Sequence, residues 1–223
     1  MGRRLASLTL DNLDDLPTGC RGCVFWELDP VAGDRAAKVG DPGLEKEAWL
    51  SGVLLDWGSC GRVLYVDKVP AGYVLFAPPT HVPRSAAFST SPVSADAVLL
   101  MTAQILPEFR GSGLGRVLVQ TVVKDLIRRG GIRAIEAFGV TPAYAAHTTC
   151  VVPADYLAAV GFKTVRPHHR FPRLRLELRN VLTWREDVEV ALERILGSMR
   201  PEPVRPAPVR RSGGPDYADA PTR

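Results

Sequence analysis

The residues best suited to chemistry are the run Arg110-Gly111-Ser112-Gly113-Leu114-Gly115. Its alternating glycines permit a tight turn and remove the Cβ atoms that would hold an oxyanion away, so several main-chain N–H groups can converge on one anion. A helical pattern comes directly after it, and a helix N-terminus adds unpaired donors and about half a positive charge. The combination suits a pyrophosphate. Spacing argues against two other phosphate loops. In a GxGxxG dinucleotide loop the third glycine comes one position later than Gly115, and a P-loop requires Lys and then Ser or Thr where Arg116 and Val117 stand. The plain alternative is a glycine-rich turn without a ligand, but closely spaced glycines weaken a helix start unless something uses them.

Residues Ile105-Leu106-Pro107-Glu108-Phe109-Arg110-Gly111-Ser112-Gly113-Leu114-Gly115 resemble the acetyl-CoA motif of the GNAT N-acetyltransferase superfamily, R/Q-x-x-G-x-G/A after a strand and a Pro-Glu-aromatic lead. Tyr156-Leu157-Ala158-Ala159-Val160-Gly161-Phe162 resembles the helix ending in Gly-Phe that comes next in that family. The resemblance extends over about residues 62–179. It implies an N-acyltransferase with acetyl-CoA, or another acyl-CoA, as co-substrate, bound by Ile105, Leu106 and Arg110 through Gly115. It also implies that the strand before the loop splays from its parallel neighbour, here residues 101–106 and 132–138, with the pantetheine arm in the gap. An amine of a small molecule or protein then attacks the thioester directly, helped by proximity and backbone donors. The acceptor side would be shaped by residues 45–57, 67–69 and 76–88, with Trp49, Trp57 and Tyr73 as lining candidates or as core. An oligomer is compatible with this reading.

Amine attack needs a base, and the departing thiolate benefits from an acid. The family often places a Tyr four residues before the Gly of Gly-Phe, but this chain has Leu157 there, with Tyr156 about 100° round the helix. Cys150 stands where the family commonly has Asn. The candidates are therefore Tyr156 as acid, Cys150 as proton donor or nucleophile, and Glu136 as base on the strand beside the splay. Each has a structural alternative: a packed Tyr, a buried inert Cys, a strand carboxylate paired with Arg. His147 falls in the loop ahead of the last core helix and reads as an exposed residue without a role.

These residues need a scaffold, and the hydrophobic pattern supplies one. Residues 63–66 and 72–76 read as a β-hairpin joined by 67–71. A buried strand over 97–106, a helix over 113–129 closed by Gly130 and Gly131, and a second strand over 132–138 make a βαβ unit. A helix over 153–160 and a strand over 173–179 with one dry face come after it, and a helix over 45–55 precedes. Residues 5–16 and 22–28 give no firm pattern. The expected class is α+β: a GNAT-like mixed, mostly antiparallel sheet with a central βαβ acyl-CoA-binding unit flanked by helices. Residues 1–61 are the N-terminal part of that domain and 62–199 its core. The core ends in an amphipathic helix over 184–199, and the Pro- and Arg-rich 200–223 reads as a disordered tail.

Composition narrows the classes. At 223 residues and 46% hydrophobic content the chain has enough for one good core. No apolar run approaches a bilayer span and the start lacks a signal-peptide stretch, so a cytoplasmic protein with no membrane partner is expected. The net charge of +4 is small, and the basic stretch from Lys163 to Arg185 reads as a solvated strand face. Nucleic-acid binding through it is one alternative function. A silent acyl-CoA sensor of the same fold, suggested by Leu157, is the other. Four cysteines, Cys20, Cys23, Cys60 and Cys150, are too few for a disulfide scaffold. Cys20 and Cys23 form one CxxC, which reads as half of a zinc site, as a redox pair or as packing cysteines; with no second half to complete a site, packing is the expectation and no metal is expected.

Overall fold

A computed structural model describes residues 2–146, 148 and 150–179. The helix expected over 184–199, the tail 200–223 and His147 lie outside the described residues. Strands are β1 (Arg3–Ser7), β2 (Gly61–Val66), β3 (Val69–Ala77), β4 (Ala97–Ile105), β5 (Ala134–Val140), β6 (Val152–Pro153), β7 (Lys163–Arg166) and β8 (Arg173–Glu177). Helices are α1 (Thr18–Arg21), α2 (Pro30–Val39), α3 (Pro42–Asp56), α4 (Leu114–Arg129), α5 (Pro142–Ala145) and α6 (Ala154–Ala159). The strands form one sheet in the order β1-β2-β3-β4-β5-β8-β7, with β6 added beside β5. Among the described residues the parallel pairs are β4–β5 and β5–β6, while the remaining pairs are antiparallel. The sheet is mixed and mostly antiparallel, as the sequence implied.

Each face of the sheet carries a core. On one face the N-terminal elements bring Leu13, Trp26, Leu50 and Val53 against Tyr73, Leu99 and Phe138. On the other, α4 and α6 bring Leu118, Val122, Leu126 and Leu157 against Val74, Leu100, Ile135 and Leu174. The α4 stripe has helical spacing. Its one buried acid, Asp125, is neutralised by Arg62 at 3.0 Å and Arg129 at 3.1 Å. Arg128 and Arg129 occupy the last turn and Gly130, at φ 74°, stops the helix.

Several boundaries differ from expectation for identifiable reasons. The hairpin link is two residues, Asp67 and Lys68, both at positive φ, and Val69 to Ala71 belong to β3. α3 begins at Pro42, where the Asp41 carboxylate accepts from Gly43 N at 2.9 Å and Leu44 N at 3.2 Å. Asp29 caps α2 in the same way through Val31 N and Ala32 N. α2 buries only Ala36, so it has no apolar stripe to read. β1 and β7 sit at opposite edges of the sheet, and β7 is exposed at every position, so alternation could not reveal it.

Two irregularities shape the centre. β4 and β5 pair at only three rungs, Ala97↔Ala134, Val98↔Ile135 and Leu99↔Glu136, and then part. β4 stays paired with β3 out to Ile105, but Phe76↔Leu100 is succeeded by Leu75↔Thr102, leaving Met101 as an extra residue. Such a bulge bends its strand and reverses the facing of the residues beyond it. Thr102 and Gln104 therefore share a face with Leu75 and Tyr73.

Candidate functional site

The parting of β4 from β5 opens a wedge that β6 closes at its far end by pairing Gly139↔Val152 and Val140↔Pro153. From Leu100 onward β4 has one hydrogen-bonding edge without a strand partner in β5. The wedge belongs to a cleft of about 680 Å³, a size that holds a small-molecule ligand. Thr102 to Ile105 form one wall, Val140, Val151, Val152 and Pro153 the other, and Gly111, Gly113 and Gly115 lie at the end nearest α4.

That end has the donors and the open backbone that an anion site requires. Gly111 and Gly113 both have φ 76°, a backbone shape that side chains disfavour, and a Cβ on either would meet nothing within 4 Å. Gly113 is the N-cap of α4 and offers no capping side chain, and the first turn carries no acid. The first amides of this 16-residue helix thus keep their donor capacity and dipole for a ligand. Arg110 and Arg116 add cationic walls. Arg110 is steadied by its Nε donating to Ile105 O at 3.2 Å, and Arg116 donates to Ala159 O at 3.0 Å.

Of the expected cofactor residues, Ile105, Arg110, Gly111, Gly113, Leu114 and Gly115 line the cleft. Leu106 and Ser112 are not among the lining residues. The Leu106 amide donates to Ala71 O at 2.9 Å, and the Ser112 hydroxyl donates to Phe109 O at 2.6 Å.

The three acid–base candidates are not brought together. Tyr156 lines the cleft, but its hydroxyl donates to Gly115 O at 2.9 Å, at the end nearest α4. Burial pushes its phenol up to about 12, so it stays protonated near neutrality. Its ring fills the space where a Gly115 side chain would go, since a Cβ there would meet Cε2 at 2.7 Å. Gly115→Ala is therefore expected to cost about 1–3 kcal/mol in a thermal unfolding measurement. An unchanged melt would mean the ring is not seated there. Leu157, in the family's Tyr slot, is fully buried in the α4-side core.

Glu136 forms the last rung before the wedge, yet its carboxylate does not line the cleft. It is fully buried and accepts from Ser94 N at 3.2 Å. It also lies 3.1 Å from both Arg173 Nη1 and Arg175 Nη1. Burial alone would raise its pKa, but the bonds from Ser94 and the charges of Arg175 and Arg173 outweigh this and hold it below the usual carboxylate value. For Arg173 and Arg175 these contacts correct the reading of the basic stretch as a solvated face, while Lys163, Arg166 and Arg179 are exposed as that reading expected. Arg173 and Arg175 are turned inward, and Arg175 also grips Asp96 at 2.8 Å.

Cys150 sits between the cleft-lining Thr148 and Val151, and its sulfur lies 3.3 Å from Cys23 Sγ. The hydrogen bond with Cys150 lowers the Cys23 thiol to about 6 against the opposing effect of burial, whereas burial pushes Cys60 up to about 12. Around this pair are residues that the sequence did not single out. Lys46 and Glu27 form a buried ion pair, and Lys46 also donates to Cys23 O at 2.8 Å. Gln104 Oε1 accepts from Cys20 Sγ and from Tyr73 OH, each at 3.2 Å. Gln104 could not be found by alternation because the Met101 bulge redirects it. Of the acceptor-side aromatics, Tyr73 is buried in this cluster, Trp49 donates to His81 O at 2.7 Å, and Trp57 stacks under Arg129 at 4.0 Å. Among the described residues no cluster of His, Cys, Asp or Glu could hold a metal ion, and no helix is long and apolar enough to cross a membrane.

Residues 22–148 match the family described as acetyltransferase (GNAT) family. No curated protein matches the chain. Among solved structures, the PaiA N-acetyltransferase of Thermoplasma acidophilum in complex with coenzyme A is 12% identical with a TM-score of 0.52, over 79% of this chain and 99% of that one. The loading GNATL domain of CurA from Lyngbya majuscula is 13% identical with a TM-score of 0.52, over 81% of this chain and all of that one. At these identities the likeness is one of fold.

Proposed function

The chain belongs to the acetyltransferase (GNAT) family, and from that premise we propose that it transfers an acetyl or other acyl group from coenzyme A to an amine. The observation that carries the reading is the uncapped, glycine-lined start of α4 opening onto the wedge between β4 and β5. The amides of Gly111 to Gly115 hold the pyrophosphate, with Arg110 and Arg116 balancing its charge. The free edge of β4 beyond Leu99 receives the pantetheine amides as a strand would. The thioester then reaches the region of Thr102 and Val151, where β4 main-chain donors steady the carbonyl oxygen and proximity supplies most of the rate.

Side-chain proton transfer is assigned by placement. Tyr156 braces the phosphate loop through Gly115. Glu136 fixes the β4–β5–β8 junction through Arg173 and Arg175. Cys150, beside the acceptor end of the cleft and bonded to Cys23, is the proton carrier for the incoming amine.

A thiol-release assay with acetyl-CoA and pools of small amines and N-terminal peptides tests the proposal. Turnover is expected with at least one pool, and Cys150→Ser is expected to lower kcat about 10–100-fold. A second reading has one observation in its favour, the burial of Leu157 where the family commonly has a Tyr. On that reading the chain binds acyl-CoA without turnover. Thermal stabilisation by acetyl-CoA with no thiol release from any pool would establish it over transfer. Nucleic-acid binding is not favoured, since Arg173 and Arg175 are held by carboxylates of the chain itself.

A further inference from the structure

We infer that Cys23 and Cys150 form a redox-active dithiol that closes to an intramolecular disulfide when a hydroperoxide oxidises it and reopens with a thiol reductant. The inference goes beyond acyl transfer and stands on the placement of the two residues. CxxC spacing suggests Cys20 and Cys23 as the pair, but the fold gives them different partners. Cys20 bonds to Gln104, whereas Cys23 Sγ lies 3.3 Å from the sulfur of Cys150, 127 residues away in sequence. A disulfide bond is about 2.0 Å long, so closure requires an approach of little more than an ångström.

Both backbones are anchored near the contact. The Cys23 carbonyl accepts from Lys46 Nζ, and the Cys150 carbonyl accepts from Trp26 Nε1, each at 2.8 Å. Both residues are half-buried, while Cys60 is sealed in the core. The Cys150 hydrogen bond and the Lys46 ammonium on the Cys23 carbonyl both favour a thiolate at Cys23, so it is the sulfur that attacks first.

The chemistry balances. Cys23 thiolate attacks one peroxide oxygen, the O–O bond breaks, hydroxide leaves and Cys23 becomes a sulfenic acid. The Cys150 sulfur then attacks Cys23 Sγ, the S–O bond breaks, and the leaving oxygen departs as water with the Cys150 proton. Two thiols lose two electrons and two protons, and the hydroperoxide is reduced to water and, for an organic hydroperoxide, an alcohol. The new bond ties the segment after α1 to the loop before β6, next to the cleft-lining Val151 and the first β6 residue, Val152. It also removes the thiol assigned above to proton transfer. The test, however, reads thiols rather than turnover and does not depend on that assignment.

The full chain is treated with hydrogen peroxide near stoichiometry at pH 7.5, alkylated under denaturing conditions, and examined by intact mass and peptide mapping. The expected result is a monomer that takes up two alkyl groups instead of four and gives a Cys23–Cys150 linked peptide. Dithiothreitol restores all four, and the oxidised form melts higher by roughly 5–10 °C. Cys20→Ser keeps the linkage, while Cys23→Ser and Cys150→Ser each lose it. The melts of the serine variants in reductant check that they fold, and the wild-type peptide map decides the question by itself. A Cys20–Cys23 linkage, an intermolecular disulfide, or sulfenic acid accumulating on Cys23 without closure would overturn the inference, as would four thiols surviving the treatment.

Discussion

Gly113→Trp is expected to weaken acetyl-CoA binding by at least about 100-fold. Each charge-assisted hydrogen bond to a phosphate contributes about 1.5–3 kcal/mol, and an indole over the start of α4 displaces at least two of them. With the ligand at about 100 times its dissociation constant, the wild type is expected to gain roughly 5–10 °C in melting temperature, and the variant almost nothing. The geometry makes this a test of the ligand site. Gly113 lines the cleft and a Cβ there meets nothing within 4 Å, so substitution does not start from a clash with the core. Its cost without ligand is the strain of a side chain at φ 76°, about 1–2 kcal/mol. Gly113→Ala carries the same strain without the bulk and should retain most of the ligand-induced shift. Equal shifts in wild type and Gly113→Trp would rule out the phosphate loop as the ligand site.

Glu136→Gln is expected to destabilise the sheet centre by about 3–5 kcal/mol, or on the order of 10 °C. Arg175 would keep Asp96 and Glu177, but Arg173, with a side chain only 11% exposed, would lose the carboxylate 3.1 Å away. Removing one partner of a buried pair leaves a desolvated charge, which explains why the effect exceeds that of a surface ion pair. The dependence on pH has a definite sign. The native carboxyl titrates below its unfolded value, so its contribution is complete above the unfolded pKa of about 4.3 and is lost as pH falls through the lower native value. Urea unfolding at pH 7 and pH 3 should therefore show a wider gap between wild type and variant at the higher pH than at the lower. A gap that is unchanged by pH would point to lost packing rather than lost charge.

The same residue marks where local sequence stops being sufficient. Its position in the chain puts Glu136 beside the splay, and it does form the last rung before it. Its usefulness as a base depends instead on Arg173 and Arg175, which reach it from β8 nearly forty residues later. Tyr156 likewise lies near the cleft, as its place in the chain implies. That its hydroxyl goes to Gly115 O results from how α6 packs against α4, which helical spacing alone does not fix.

Amino-acid order by itself determined the features whose causes are local. The glycine run, the helix it opens and the strands on either side are encoded by neighbouring residues, because turn geometry, helix capping and apolar periodicity act over a few positions. The family resemblance of 105–115 rests on that same run. The resemblance implied the wedge, whereas tertiary structure alone decided the rung at which it opens, the facing of Gln104 and the partner of Cys23. The Met101 bulge exists only through its register with β3, the exposed edge strands β1 and β7 exist only through their neighbours, and the meeting of Cys23 with Cys150 requires the whole sheet to form between them. Pairing between distant segments is set by which surfaces can be buried together, and that information is spread over the chain rather than written at any one site.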